Sequence, residues 1–224
     1  KYRRAARVLK ALMRIYPFSR LGNKQNPLDE LFFILLTGQT TNGPSQRTFG
    51  RLRREFRPWD RLLSASDAEI ANVIREAGLY HQRAQAIKKI SERLTAEFGA
   101  VTLAPLKAMA REEAEAFLCS LPRVGVKSAR CVLGYSLGHD TMPLDTHCLR
   151  VMRRLGLLQE GLYGRRLHDV AESVFPPGSR LRAHVAMVIH GRTRCFASHP
   201  KCAGCPISRW CHYYAGHHEA RESA

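Results

Sequence analysis

Apolar positions recur at helical spacing along nearly the whole chain. Val8, Leu9, Leu12, Met13 and Ile15 mark one side of a basic amphipathic helix over residues 3–15, which Pro17 ends. Asn26 followed by Pro27 reads as an N-cap with proline in the first turn, launching Leu31-Phe32-Phe33-Ile34-Leu35-Leu36. That run is apolar all round, so its helix must be buried. It stops at Thr37-Gly38-Gln39-Thr40-Thr41, and Asn42 is expected to cap the next helix, which carries Phe49, Leu52 and Phe56. Ser66-Asp67-Ala68-Glu69 has the form of a capping box opening a helix toward Gly78. Ala84, Ile87, Ile90 and Leu94 share one side of a longer helix that Gly99 terminates. Further helices are predicted over 111–119, 163–174 and 180–190, the last two separated by Pro176-Pro177-Gly178. No stretch alternates convincingly at period two, and the predicted class is all-α.

Length, hydropathy and charge narrow the picture. A chain of 224 residues can bury a real core in one large or two small domains. Hydrophobic residues make up 45% of it, yet no apolar run approaches the ~18 residues of a membrane span, so a soluble, membrane-free protein is expected. The formal net charge is +17, concentrated in two segments. From Lys1 to Lys24 there are eight Lys or Arg and no acid, and between Glu172 and Glu219 there is no acid either. Basic surface alone suits DNA, RNA or anionic membrane alike.

The densest chemistry lies in residues 119–150. Leu121-Pro122-Arg123-Val124-Gly125-Val126 separates two helical patterns, with Pro and Gly turning the chain, which makes a helix-hairpin-helix. Such a hairpin suits phosphates, and joined to the basic segments it favours nucleic acid. Lys127 falls in the first turn of the second helix, and Gly138 closes that helix. From Lys127 to Leu137 the helix runs roughly 16 Å. The loop from Gly138 to Leu144 can span about 23 Å. That is enough to bring Asp145 back to the mouth where Lys127 sits. Asp145-Thr146-His147 opens another helix, so Asp145 reads as an N-cap whose carboxylate the helix dipole keeps ionised.

The cysteines divide by position. Cys119, Cys131 and Cys148 sit in apolar helical patterns and are expected in the core. Cys195, Cys202, Cys205 and Cys211 are spaced Cys-x6-Cys-x2-Cys-x5-Cys, four thiolates suited to structural zinc or to a [4Fe–4S] cluster. Spacing alone does not choose between them.

The pattern Leu-Pro-x-Val-Gly-x-Lys-Ser-Ala followed by Leu-Asp-Thr-His resembles the helix-hairpin-helix DNA glycosylases, specifically the endonuclease III family, and the likeness extends over essentially the whole chain. It implies a six-helix domain at 21–135 ending in the hairpin. A second domain would join the N-terminal helix, 1–20, to residues 136–224, with an iron–sulfur loop at 195–211 and DNA bound in the cleft between domains. It also implies a [4Fe–4S] cluster on the four cysteines, Lys127 as nucleophile and Asp145 as its partner carboxylate. Gln39 and Leu79 match the residues that wedge into DNA. Leu121, Arg123, Gly125, Val126, His147, Arg192, Arg194 and Lys201 are expected to meet DNA.

The implied activity is removal of oxidised pyrimidines from double-stranded DNA, through a lysine Schiff base and β-elimination, with damaged bases or abasic sites as the target. A monomer is expected, cytoplasmic and nucleoid-associated in a bacterium. The alternatives are a glycosylase for alkylated or mismatched bases on the same scaffold, and a DNA-binding module without catalysis. Three positions depart from the family pattern: Arg123 stands where the hairpin normally has Gly, Gly38 replaces Ala and Asn42 replaces Asp. They bear on substrate range.

Overall fold

The computed structural model describes residues 2–37 and 42–216. Gly38, Gln39, Thr40 and Thr41 lie outside that set, as does the side chain of Asn42 with its expected cap. The α-helices are α1 (Tyr2–Ile15), α2 (Pro27–Thr37), α3 (Asn42–Phe56), α4 (Asp67–Val73), α5 (Tyr80–Phe98), α6 (Arg111–Ser120), α7 (Val126–Ser136), α8 (Thr146–Arg154), α9 (Gly164–Ser173) and α10 (Arg180–Thr193). Short 3-10 turns occupy Trp59–Leu63, Ala104–Ala108 and Ser208–Trp210. The described residues contain no strand. The chain forms two compact units, Gly22–His139 and the pair of segments Lys1–Leu21 and Asp140–Ala224.

The central unit is built around α2. Asn26 Oδ1 accepts the N–H groups of Leu28 and Asp29, both at 3.0 Å, so the helix starts where the cap requires. Every residue from Pro27 to Leu36 is buried, because α3, α5 and α7 all pack against this one helix. Burial extends to Asp29, whose carboxylate accepts from Trp59 Nε1 at 2.9 Å and faces Arg53 and Arg57. Ser66 and Glu69 form the expected capping box. Gly99 ends α5 at φ +74, a conformation costly for any side chain with a Cβ. Gly138, at φ +78, follows α7, and His139 N–H reaches back to the Leu133 carbonyl at 3.0 Å in a helix-closing bond.

In the other unit α8 and α1 pack on α10. α1 buries Ala5, Val8, Leu9 and Leu12. Met13 and Ile15, read from the sequence as part of the apolar face, are exposed, since they lie off the 5-8-9-12 stripe. Asp140 leads the chain back into this unit by accepting from the N–H groups of Gly178 and Arg180 at the start of α10. Glu172 then accepts from Met142 N–H at 2.9 Å, fixing the buried segment that delivers Asp145 to α8. Cys131 and Cys148 are core residues, but Cys119 is only half-buried at the end of α6.

The hairpin's two helices share a buried ion pair, Arg130 Nε to Glu115 Oε2 at 3.1 Å, with both side chains almost wholly enclosed. Arg111 approaches the same carboxylate at 4.0 Å. Removing Glu115 leaves a guanidinium in the interior without that carboxylate. Glu115→Ala should therefore cost about 3–5 kcal/mol. Glu115→Leu combined with Arg130→Met should recover most of that loss, and denaturant midpoints of the three proteins provide the check.

Candidate functional site

The hairpin is a tight turn in which Val124 N–H bonds to the Leu121 carbonyl at 3.1 Å. Leu121 and Val124 anchor it in the core, while Arg123 and Gly125 are exposed. The turn's left-handed residue is Arg123, at φ +61. Gly125 is extended, at φ −96, and a Cβ there would meet nothing within 4 Å. What Gly125 lacks is a side-chain acceptor, so α7 begins without a side-chain cap. Val126 and Lys127 are the first two residues of α7, both half-buried.

The first turn of α5 braces this hairpin. Arg123 donates to Gln82 Oε1 at 2.8 Å, and the next residue, Arg83, donates to the Leu36 carbonyl at the end of α2 at 3.0 Å. Burial, with Arg123 nearby, lowers the Arg83 pKa. Leu79, at the N-cap of α5, is left-handed at φ 58 and 47% exposed. An apolar side chain is thus held outward by strained backbone, contrary to a core role. Gln39 lies outside the described residues.

Asp145 caps α8 by accepting from Cys148 N–H at 2.8 Å. Burial pushes its carboxyl upward, but His184, the Cys148 N–H and His147 together outweigh burial and hold it below its usual value. His147 itself is lowered by burial, against the opposing pull of Asp145. Its Nδ1 lies 3.1 Å from Arg150 Nη2. Both press on Gly191 of α10, where an added Cβ would come within 2.8 Å of His147 Cβ. Only a glycine allows α8 and α10 to approach so closely there.

The same helix holds the cysteine loop. Arg150 donates to the carbonyls of Gly191 (2.8 Å) and Cys195 (2.9 Å). One turn on, Arg154 donates to the carbonyls of Phe196 (2.6 Å) and Ala197 (2.9 Å), and to Cys195 Sγ at 3.2 Å. Cys195, Cys202, Cys205 and Cys211 line a single cavity with Val151, Leu155 and Ile207, and all four are free thiols. Burial raises Cys205 and Cys211, and their neighbouring thiols add to that. A group binding them as thiolates must therefore supply positive charge. Among the described residues, no three or more His, Cys, Asp or Glu side chains gather around a single ion position. Arg194 donates to the Ala203 carbonyl at 3.2 Å, Lys201 lies over the Phe196 ring, and Arg192 is exposed.

Residues 33–176 match the HhH-GPD superfamily of base excision DNA repair proteins. The endonuclease III of Treponema pallidum (strain Nichols) is 30% identical over 84% of this chain and 84% of its own. The chain belongs to the endonuclease III family. A relative from Arabidopsis thaliana, which carries the name of a DNA glycosylase, is 38% identical over 169 residues, but the chain spans 58% of that relative's length and about a tenth of the rice proteins ROS1C and ROS1A. The fold matches a trapped endonuclease III–DNA covalent intermediate with a TM-score of 0.84, at 25% identity over 97% of this chain and 98% of that one. No helix among the described residues is long and apolar enough to cross a membrane.

In this endonuclease III family member, Lys127 with the hairpin and Leu79 belong to the central unit. Asp145, His147, Arg192, Arg194, Lys201 and the cysteines belong to the other. Sequence reasoning missed Arg150, Arg154 and His184. The i,i+4 spacing of Arg150 and Arg154 after Asp-Thr-His was the available signal for two of them. For Asp145 the depressed carboxyl pKa sets a sign. Its ionised form contributes stability above the unfolded value of about 3.9, and that contribution disappears as pH falls through the lower folded value. The stability difference between wild type and Asp145→Asn, measured by denaturant titration, should be largest near pH 6 and vanish in strong acid.

Proposed function

We propose that the protein is a bifunctional base-excision-repair enzyme, a DNA glycosylase with AP lyase activity, acting on duplex DNA that carries oxidised pyrimidines or abasic sites. The observation that carries this reading is Lys127 in the first turn of α7, directly behind a hairpin that starts the helix without a side-chain cap. Asp145, a carboxylate held ionised at another helix N-terminus, is its partner. That a relative is trapped as a covalent DNA intermediate supports a nucleophilic mechanism. So does the charge map: a groove lined by Arg7, Lys10, Arg14, Arg209 and Trp210 adds a cationic strip suited to a phosphate backbone.

A base inside a duplex hides its glycosidic carbon, so the nucleotide must leave the stack. Leu79, exposed on strained backbone, and Gln39 are the candidates to fill the gap. The hairpin, with Leu121, Arg123, Gly125 and Val126, grips phosphates without reading sequence, and His147, Arg192, Arg194 and Lys201 contact the backbone from the other unit. The neutral Lys127 amine attacks the anomeric carbon, the base departs with the glycosidic electron pair and takes up a proton, and Asp145 stabilises the positive charge that builds on the sugar. The nitrogen of the adduct loses a proton, its lone pair forms the C=N bond as the C1′–O4′ bond breaks, and O4′ takes up a proton, so that the ring opens to a protonated imine. Loss of a C2′ proton then expels the 3′ phosphate, and water hydrolyses the imine to free Lys127.

The four cysteines fit a [4Fe–4S] cluster: four free thiols share a mostly apolar cavity, and Arg154 already donates to one of them. When bound, such a cluster would crosslink the loop carrying Arg194 and Lys201, which follows Arg192 in the last turn of α10.

Borohydride should trap wild-type protein covalently on thymine glycol duplex, and Lys127→Gln should abolish trapping while leaving binding largely intact. Asp145→Asn keeps the cap but should slow base excision by roughly 10²–10³-fold. Cleavage at a preformed abasic site should suffer less, since no intact base is expelled. Undiminished trapping in Lys127→Gln contradicts the nucleophile, and faster release of alkylpurines or mismatched bases than of thymine glycol contradicts the substrate class.

Protein purified anaerobically should contain stoichiometric iron and acid-labile sulfide. Zinc without either replaces the cluster assignment and leaves the lyase reading standing.

A further inference from the structure

Tyr16 and His190 join the N-terminal segment to the cysteine loop. The Tyr16 hydroxyl lies 3.2 Å from His190 Nδ1, and the opposite ring nitrogen, Nε2, faces Cys205 Sγ at 3.8 Å, within range for a bond to sulfur. The two rings are 5.8 Å apart and tilted by 59°. His190 is 1% exposed in the last turn of α10. Its carbonyl accepts from Cys195 N–H at 2.8 Å, so one residue touches two of the four cysteines.

A thiol both donates and accepts, and beside one the imidazole is free to sit in either tautomer. A thiolate only accepts. Resting on the cluster reading above, Cys205 is a thiolate, and an unprotonated Nε2 facing it would set a lone pair against an anion. We propose that Tyr16 donates its hydroxyl hydrogen to His190 Nδ1 and so holds the tautomer in which His190 Nε2–H donates to the Cys205 thiolate, raising the reduction potential of the cluster.

The direction follows from charge. Reduction adds an electron to the cluster and its thiolates, so a hydrogen-bond donor on a ligand sulfur stabilises the reduced form more than the oxidised one. Arg154 does this for Cys195 with a full positive charge on a side chain that also grips two carbonyls. His190 does it for Cys205 with a ring whose orientation depends on a residue from α1's end. Tyr16 and His190 are positioning residues: Tyr16 acts on His190, and His190 on Cys205.

The test is voltammetry of the holoprotein, after iron and sulfide analysis has shown equal loading of each variant. His190→Leu should lower the reduction equilibrium constant about tenfold, a shift of ~59 mV to more negative potential for one electron. Tyr16→Phe, which keeps the ring and removes only the hydroxyl, should shift the potential in the same direction by less. The double variant should match His190→Leu alone, because Tyr16 acts only through His190. Should His190→Leu fail to fold, Tyr16→Phe decides by itself. An unmoved potential in iron-loaded Tyr16→Phe, or additive shifts in the double variant, overturns the proposal alone. Absence of iron from wild type overturns it together with the cluster reading.

Discussion

Arg150 and Arg154 stand one turn apart on α8 and together donate to the carbonyls of Gly191, Cys195, Phe196 and Ala197 and to the Cys195 thiol. The stretch they hold is otherwise shaped by its own short turns, such as Cys205 N–H to the Cys202 carbonyl at 3.0 Å. From Arg194 to Cys211 its regular structure is one 3-10 turn of three residues, Ser208–Trp210. Charge-assisted bonds to carbonyls are about twice as strong as neutral ones. The N-terminus of this helix is Asp145 and its His147 packs on Gly191, so the carboxylate and the cysteine loop move as one body. A small rotation of α8 would displace both. That is why the glycine in α10 is as consequential as any charged residue nearby.

The central unit carries its own constraint, in backbone rather than charge. Leu79 and Arg123 both hold left-handed conformations that cost an L-residue roughly 1–2 kcal/mol. Each is over-determined by its surroundings. Arg123 is tied to Gln82 through its guanidinium, and the Leu79 carbonyl accepts from Arg83 N–H at 3.0 Å while Arg83 reaches Leu36. A short turn of α5 therefore sets the hairpin tip, an exposed leucine and the end of α2 in mutual register. Arg123 also puts an exposed cation in the turn that precedes α7.

Charge is partitioned inside and out. Asp29, Glu30, Glu115 and Glu172 are buried, where they meet arginines, an indole N–H and backbone amides. Carboxylates drawn into the interior leave an outer surface still more cationic than the net charge of +17 conveys. Such a surface suits a polyanion held through its phosphates.

Helix positions and their caps were legible in the residues, because Asn26, Ser66, Gly99, Gly138 and Asp145 act over three or four neighbours through local hydrogen bonds or allowed backbone angles. The spacing of the four cysteines and the place of Lys127 in a first helical turn were legible for the same reason. Tertiary structure decided what depends on partners far along the chain. Met13 and Ile15 face outward because α10 covers a narrower stripe of α1 than their hydrophobicity suggested. Arg123, and not Gly125, turns the hairpin because Gln82, forty-one residues away, rewards that angle with a hydrogen bond. Arg150, Arg154, Tyr16 and His190 acquire their roles from partners up to 174 residues distant. No local pattern announces the pairing of Tyr16 with His190, since its energy exists only after both segments have been packed.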